Sequence, residues 1–304
     1  MRNFLSLTDL TSAELDDVVR NAVRYGAPGP FEKVLADRAV GILFLKTSTR
    51  TRTSFWAGAT RLGARVITYG PGDLQLNTGE TLEDTARVLG EYLDALVVRT
   101  NGDIADLRRL GAVGRPAIVN ALTENEHPTQ AVADLAMLAE EFGELGGRHL
   151  LYAGEGNSTA AALALAAALT PGFRLTLVCP AGYGLPKSLL DAAAELSGGR
   201  HQVDQHESFD DVTGRVDAVY TSRWQTMGVD KADPDWLTAF RGYRVDAALF
   251  DRFRGPDTIF LHDLPAVRGD EVDGAVLDGP DSRVWRQAHH KMTAAMAVLD
   301  WSLT

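Results

Sequence analysis

A chain of 304 residues exceeds what one small core needs and suits two domains of ordinary size. Its residues are 45% apolar and 23% charged, as in ordinary globular proteins, and its net charge of −11 argues against a nucleic-acid or anionic-membrane partner, since those need a basic face. A single cysteine, Cys179, excludes an internal disulfide and a thiolate metal cluster. The N-terminal residues Met1-Arg2-Asn3-Phe4-Leu5 lack a signal-peptide apolar core, and no run reaches membrane-spanning length. The cytoplasm is therefore the expected compartment.

The first apolar run, Val40 to Leu45, reads as a buried strand. Lys46-Thr47-Ser48-Thr49-Arg50-Thr51-Arg52-Thr53-Ser54 follows it, and Phe55 to Gly63 has the apolar spacing and Gly stop of a short helix. Hydroxyls and guanidinium forks at a helix start, together with its free N–H groups, make a site for a phosphate-like dianion. The bland alternative is a well-capped helix with solvated charges. Strands are then expected at 66–69, 95–98 and 117–120, with helices at 80–92 and 103–110. A helix over 129–142, closed by Gly143 and the Gly146-Gly147 pair, bridges to a second series. That series has strands at 150–153, 175–179, 216–221 and 259–262, helices at 158–169 and 186–196, and a last helix over 284–299. Alternation of this kind predicts an α/β chain with two parallel sheets flanked by helices. The expected division is a first domain over 1–142, with 284–304 packing back on it, and a second over 143–283.

Polar clusters fall where these strands end, the usual place for ligands on parallel sheets. Arg99 follows Val97-Val98, either as a solvated charge or as a grip on an anionic oxygen. His127 and Gln130 lie three apart at a helix start, with Pro128 between them. An imidazole beside a carboxamide can hydrogen-bond both ends of a small amide-like group; the alternative is an ordinary N-cap box. Gly154-Glu155-Gly156-Asn157-Ser158 resembles a dinucleotide fingerprint without its third glycine, or else is a loop that turns Asn157 and Ser158 toward a substrate. Arg223 and Gln225 suit a carboxylate, or Arg223 stacks on Trp224. His262 alone reads as structural, whereas Asp263 at the strand end suits an amine. Cys179, at the end of an apolar strand, reads as a buried structural thiol.

Taken in order, these clusters resemble the aspartate and ornithine carbamoyltransferase family. Ser48-Thr49-Arg50-Thr51-Arg52 is similar to its S-T-R-T-R signature, and Gly79 to Leu89 to the segment after its flexible loop. Arg99 and His127-Pro128-Thr129-Gln130 are similar to its next carbamoyl phosphate ligands. The tail Asp278 to His290 resembles the ornithine branch's D-G-P-x-S-x-x-x-x-Q-A. The resemblance implies a trimer with active sites shared between subunits, into which a neighbour's Gln75 reaches, and it implies no metal and no organic cofactor. Ser48, Thr49, Arg50, Thr51, Gln75, Arg99, His127, Gln130 and Lys291 are then the expected carbamoyl phosphate ligands. Arg50, Thr51, Arg99, His127 and Asp263 are the expected catalytic groups.

The acceptor half departs from both branches. Ornithine enzymes carry H-C-L-P and aspartate enzymes H-P-L-P-R, where this chain has His262-Asp263-Leu264-Pro265-Ala266. The ornithine branch has Asn at Ser158 and Asp at Ser222, which hold the substrate's α-carboxylate and α-ammonium. Thr221-Ser222-Arg223-Trp224-Gln225 resembles the aspartate branch's T-R-V-Q, yet Thr226-Met227-Gly228 follows the ornithine branch's S-M-G, and Asn77 stands near the place of the aspartate branch's loop lysine. The expected acceptor set is Asn157, Ser158, Ser222, Arg223, Gln225, Thr226, Met227, Asp263 and Leu264. It suggests a small amino acid with a second amine, such as 2,3-diaminopropionate, and a ureido product. The alternatives are an ordinary ornithine or aspartate enzyme and a catalytically silent regulatory relative.

Overall fold

The computed structural model describes residues 1–225 and 231–304, and for Leu76 and Asn77 the backbone alone. The chain divides into two compact units, Met1–Glu140 with His289–Thr304, and Glu141–Ala288. The first contains α1 (Ser12–Gly26), β1 (Ala39–Phe44), α2 (Arg50–Arg61), β2 (Arg65–Tyr69), α3 (Leu82–Gly90), β3 (Ala95–Arg99), α4 (Ile104–Ala112), β4 (Ala117–Leu122) and most of α5 (Pro128–Phe142). The second contains β5 (His149–Ala153), α6 (Ser158–Leu169), β6 (Arg174–Val178), α7 (Lys187–Leu196), β7 (Val203–His206), β8 (Val216–Thr221), α8 (Leu237–Phe240), α9 (Ala247–Phe253), β9 (Arg254–His262) and α10 (Gly274–Leu277). The long helix α11 (Val284–Leu303) begins in the second unit and ends in the first.

Both sheets are parallel throughout, in the order β2-β1-β3-β4 and β7-β6-β5-β8-β9. Helices cover them, so the expected α/β architecture with two helix-flanked parallel sheets is the one formed. Central strands such as Ala-Leu-Val-Val-Arg in β3 are buried along their whole length, which is why they read as continuous apolar runs rather than as alternation. In the first unit Leu43, Leu96, Val98 and Ile118 meet Ala86 and Leu89 of α3 and Leu107 and Leu110 of α4. In the second, Leu151, Val178, Val219 and Phe260 meet Phe250 and Phe253 of α9. Helix α6, Ser-Thr-Ala-Ala-Ala-Leu-Ala-Leu-Ala-Ala-Ala-Leu, is apolar all round and buried from Thr159 to Leu169.

Several boundaries differ from the sequence expectation. The first ligand helix begins at Arg50 rather than Phe55, so Arg50 to Ser54 belong to α2 itself. Helix α1 was not read from apolar spacing, although Thr11 and Glu14 form a reciprocal capping box at its start. Strand β7, Val-Asp-Gln-His, has no apolar run and is defined only by pairing with β6. Among the described residues no helix is long and apolar enough to cross a membrane.

The glycines of the Gly154-x-Gly156 turn are explained by packing. Gly154 has φ 132°, and a side chain there would press on the Trp224 ring at 3.2 Å. A Cβ on Gly156 would lie 2.3 Å from the Leu185 nitrogen and 2.4 Å from the Gly184 carbonyl carbon, both backbone atoms that cannot turn aside. The Gly156 N–H donates to the Tyr183 carbonyl at 2.7 Å, which fixes that approach. A left-handed backbone against the Trp224 ring accounts for Gly154, and close backbone contact for Gly156, without a pyrophosphate. Gly156→Ala is expected to destabilise the second unit by about 2 kcal/mol or more, read as a lower midpoint in thermal or urea unfolding.

Candidate functional site

The donor cluster grows from the N-terminus of α2. Thr49 precedes the helix in αR conformation with no side-chain cap, and its first turn carries Arg50 and Arg52 and no acidic residue. Four other helices, α1, α3, α4 and α6, are capped by the side chains of Thr11, Thr81, Asp103 and Asn157, whereas α7, after Pro186, is uncapped as α2 is. Cations in a first turn oppose the helix dipole by about 0.3–1 kcal/mol each, and an anion seated on the free N–H groups reverses that sign. Ser48 and Arg50 are half-buried here, Thr49 is exposed, and Thr51 is buried.

Arg99, only 6% exposed at the end of β3, donates from Nη1 to Thr51 Oγ1 at 3.1 Å. This contact joins the strand end to the helix start. From the other side comes the turn before α5. His127 ends that turn, and its carbonyl accepts the N–H groups of Gln130 and Ala131. Pro128 occupies the first helical position, where a missing N–H costs nothing. Thr51, His127, Gln130 and Lys291 line one small cavity within this unit. Lys291 is supplied by α11, whose approach depends on Gly58: a Cβ there would stand 2.9 Å from the Met296 side chain.

The polar atoms of this cavity are unevenly satisfied. Gln130 Nε2 donates to Asp134 Oδ1 at 2.7 Å, and Gln130 Oε1 accepts from Lys291 Nζ. The carboxamide is thus fixed in orientation, with a second lone pair on Oε1 for another donor. His127 Nδ1 is buried without a hydrogen-bond partner among the described residues. Leaving such an atom unmatched costs about 1–3 kcal/mol, which a ligand atom would offset. Burial, reinforced by repulsion from Lys291 and Arg99, holds His127 well below the usual imidazole range. The ring is therefore a neutral donor or acceptor beside two cations. Gln75, in the exposed 3-10 turn Gln75–Thr78, is not among the residues lining this cavity.

A second cluster gathers at the start of α6 in the other unit. Asn157 caps that helix, accepting the N–H groups of Thr159 and Ala160 at 3.0 and 3.1 Å. Its Nδ2 donates to Ser222 Oγ at 2.9 Å. The Tyr152 hydroxyl donates to the Glu155 carbonyl at 2.7 Å, so the 2.5 Å contact between Ser222 and Tyr152 has the serine as donor. Ser222 is buried and held from two sides in a neutral knot. Asp263 Oδ2 accepts from Thr159 Oγ1 at 2.8 Å, which brings a carboxylate to the same helix start. Ser158 and Leu264 are half-buried nearby in sequence, Leu264 with φ 56°. His262 Nδ1 accepts the Leu264 N–H, so its ring proton lies on Nε2 toward Glu271. That makes His262 the brace of the Asp263 loop.

Arg223 and Gln225 are half-buried, and among the described residues they make no hydrogen bond to this cluster. Trp224 does not stack under Arg223; it is buried against Phe240, with ring centroids 5.2 Å apart. Thr226 and Met227 lie outside the described residues. Cys179 is buried, and desolvation pushes its thiol up to about 12, which suits packing rather than nucleophilic chemistry. Sequence reading missed Tyr152, Thr159 and the half-buried ion pair of Glu155 with Lys231, because no local pattern links residues 70 to 104 positions apart. Among the described residues no group of three or more His, Cys, Asp or Glu is arranged to hold a metal ion.

The model of the aspartate/ornithine carbamoyltransferase carbamoyl-phosphate-binding domain matches residues 2–140, and that of the Asp/Orn-binding domain matches residues 146–302. The chain belongs to the aspartate/ornithine carbamoyltransferase family. It is a carbamoyltransferase. Among curated relatives it is 37% identical to the ornithine carbamoyltransferase of Methanothermobacter thermautotrophicus over 99% of this chain and 95% of that protein. It is 38% identical to that of Parafrankia sp. over 99% of this chain and 96% of the relative. The solved ornithine carbamoyltransferase from Pyrococcus furiosus superposes with TM-score 0.91 at 31% identity, covering 99% of this chain and 97% of that one. The one from Gloeobacter violaceus has TM-score 0.85 at 33% identity and covers both chains fully.

The buried neutral imidazole carries a pH signature in this carbamoyltransferase. Stability linked to His127 is present above an imidazole's ordinary pKa and is lost as pH falls, because the unfolded chain takes up a proton there that the folded chain refuses. His127→Gln is expected to flatten that acid-side loss in unfolding titrations while lowering kcat by about 10²–10³-fold.

Proposed function

We propose that this carbamoyltransferase moves the carbamoyl group of carbamoyl phosphate onto the amine of a short amino acid bearing a second amine, such as 2,3-diaminopropionate, giving a ureido product and phosphate. The observation that carries the donor half is the buried, unpartnered His127 Nδ1 in the cavity shared by Thr51, Gln130 and Lys291, with Arg99 tied to Thr51. The uncapped start of α2, with Ser48, Thr49 and Arg50, takes the phosphate. Thr51, Arg99 and His127 face the carbamoyl oxygen, which gains negative charge as the amine adds. Gln130 Oε1 accepts a carbamoyl N–H. The amine nitrogen forms a bond to the carbamoyl carbon, the bond to the bridging phosphate oxygen breaks, and the departing phosphate takes the amine proton. Orientation and charge stabilisation supply the rate without a protein base.

The acceptor reading is supported by the neutral knot at Ser222. A hydroxyl committed to Tyr152 and Asn157 offers no charge to an α-ammonium, whereas Asp263 presents a carboxylate at the start of α6. Arg223 and Gln225 are assigned the acceptor carboxylate. A second reading, ornithine itself, is favoured by the names of the relatives and solved neighbours. An amine panel incubated with carbamoyl phosphate and scored for ureido product separates them. The expected result is 2,3-diaminopropionate ahead of ornithine and aspartate, with Asp263→Asn lowering its kcat/KM by about 10-fold or more and leaving the KM for carbamoyl phosphate unchanged. Ornithine leading by a wide margin would replace the acceptor and keep the transfer.

The homotrimer with shared sites is part of the same proposal. Trp56, Ile67, Val88 and Tyr92 of the first unit are large apolar side chains between 47% and 71% exposed, which suits burial against another copy. Gln75 is exposed on the same unit, available to a neighbour. Light scattering on the intact chain is expected to give the mass of three chains, and Gln75→Ala to raise the KM for carbamoyl phosphate.

A further inference from the structure

Glu126 takes no part in the chemistry above, yet it stands one residue before His127 and is only 3% exposed. Its surroundings are built from the two ends of the first unit's sequence. Residues 3–7 run beside β4: the Phe4 N–H donates to the Ile118 carbonyl and the Asn120 N–H to the Phe4 carbonyl, both at 2.8 Å. Asn120 Nδ2 donates to the Leu5 carbonyl at 2.8 Å. Where this segment enters the 3-10 turn Leu7–Asp9, Glu126 receives it. Its Oε2 accepts from Ser6 Oγ at 2.6 Å and its Oε1 from the Leu7 N–H at 2.9 Å. The Glu126 carbonyl in turn accepts the Thr123 N–H at 3.0 Å. Side chain and main chain of this residue are therefore both held, and the next residue is the imidazole.

The His127 ring lacks what usually orients a catalytic imidazole. Its Nδ1 has no hydrogen-bond partner among the described residues, so no third group fixes the ring from behind. Its position must then come through the backbone and packing. We propose that Glu126 is a positioning residue for His127, clamping the turn that carries the imidazole onto Ser6 and Leu7, so that the N-terminal segment forms part of the scaffold of the donor site. This rests on the assignment of His127 to the carbamoyl oxygen.

The clamp can exist in two forms. Burial pushes the Glu126 carboxyl up to about 7, the hydrogen bonds from Ser6 and Leu7 pull it down, Asp9 raises it and Arg108 lowers it. Asp9 and Arg108 are themselves paired at 3.1 Å, and His127 on the other side is kept neutral near Arg99 and Lys291. Above the midpoint the carboxylate accepts two charge-assisted bonds, which are about twice as strong as neutral ones. Below it the acid donates to Ser6, whose own proton turns to Thr8 Oγ1 at 2.9 Å. The clamp therefore tightens as pH rises through the neutral range.

The test compares the intact wild-type chain with Glu126→Gln, Glu126→Ala and Ser6→Ala. In nitrogen-15 spectra recorded across the neutral range, the Leu7 amide and the His127 ring resonances of the wild type are expected to move together with one midpoint. Glu126→Gln, which keeps both hydrogen bonds but cannot ionise, is expected to abolish that joint transition. With carbamoyl phosphate and the best amine of the panel, Glu126→Ala and Ser6→Ala are expected to lower kcat by about 10-fold while the KM for carbamoyl phosphate stays within about twofold. A His127 ring that stays silent while the Leu7 amide titrates overturns the clamp, as does wild-type kcat in both truncations. Should Glu126→Ala fail to fold, Glu126→Gln and Ser6→Ala still decide. Should no amine be carbamoylated by the wild type, the proposed function fails while the spectra decide the clamp independently.

Discussion

The contact between Arg99 and Thr51 organises the donor unit. A guanidinium buried at the end of a central strand is tolerable only where hydrogen-bond acceptors and counter-charge are arranged around it. Thr51 supplies one acceptor from the first turn of α2, so strand end and helix start are locked at one distance. Around it stand Arg50 beside an uncapped helix start, Lys291 from α11, the Gln130 carboxamide held by Asp134, and an imidazole that burial and the nearby cations keep uncharged.

The acceptor cluster follows the opposite logic. At the start of α6 the helix is already capped by Asn157, and Ser222 and Tyr152 close a chain of hydrogen bonds that ends on a backbone carbonyl. In the adjoining turn, Glu155 Oε2 and Trp224 Nε1 are buried without a hydrogen-bond partner among the described residues. The carboxylate of Asp263, held by Thr159 on a loop braced through His262 and Glu271, is the charged group that remains at that helix start. The two clusters are built on separate units with separate cores.

Much of this was legible in the residues. Buried strands such as Ala95–Arg99 announce themselves because both faces are covered and every residue is apolar until the terminal arginine. The phosphate-type signal at Ser48–Ser54 is local, since a helix start, hydroxyls and guanidinium groups need no distant partner to be meaningful. Helix α1 is marked in the sequence by its Thr11–Glu14 capping box, whereas β7 has no local signal because an edge strand of Val-Asp-Gln-His is defined by its neighbour. The partial nucleotide motif at Gly154-x-Gly156 was ambiguous for a related reason: its glycines answer to the Leu185 backbone and the Trp224 ring, which lie far along the chain.

Sequence alone determined the parallel α/β class and the family, because each depends on patterns within one element or on ordered motifs. Tertiary structure decided which of those groups are buried, paired or left with an unmatched atom. It showed His127 kept neutral by Arg99 and Lys291, Gln130 oriented by Asp134, Ser222 absorbed into a neutral knot, and Glu126 clamped to Ser6. These are properties of long-range juxtaposition, where burial and the charges of distant residues set the energy of each side chain, and no local pattern encodes them.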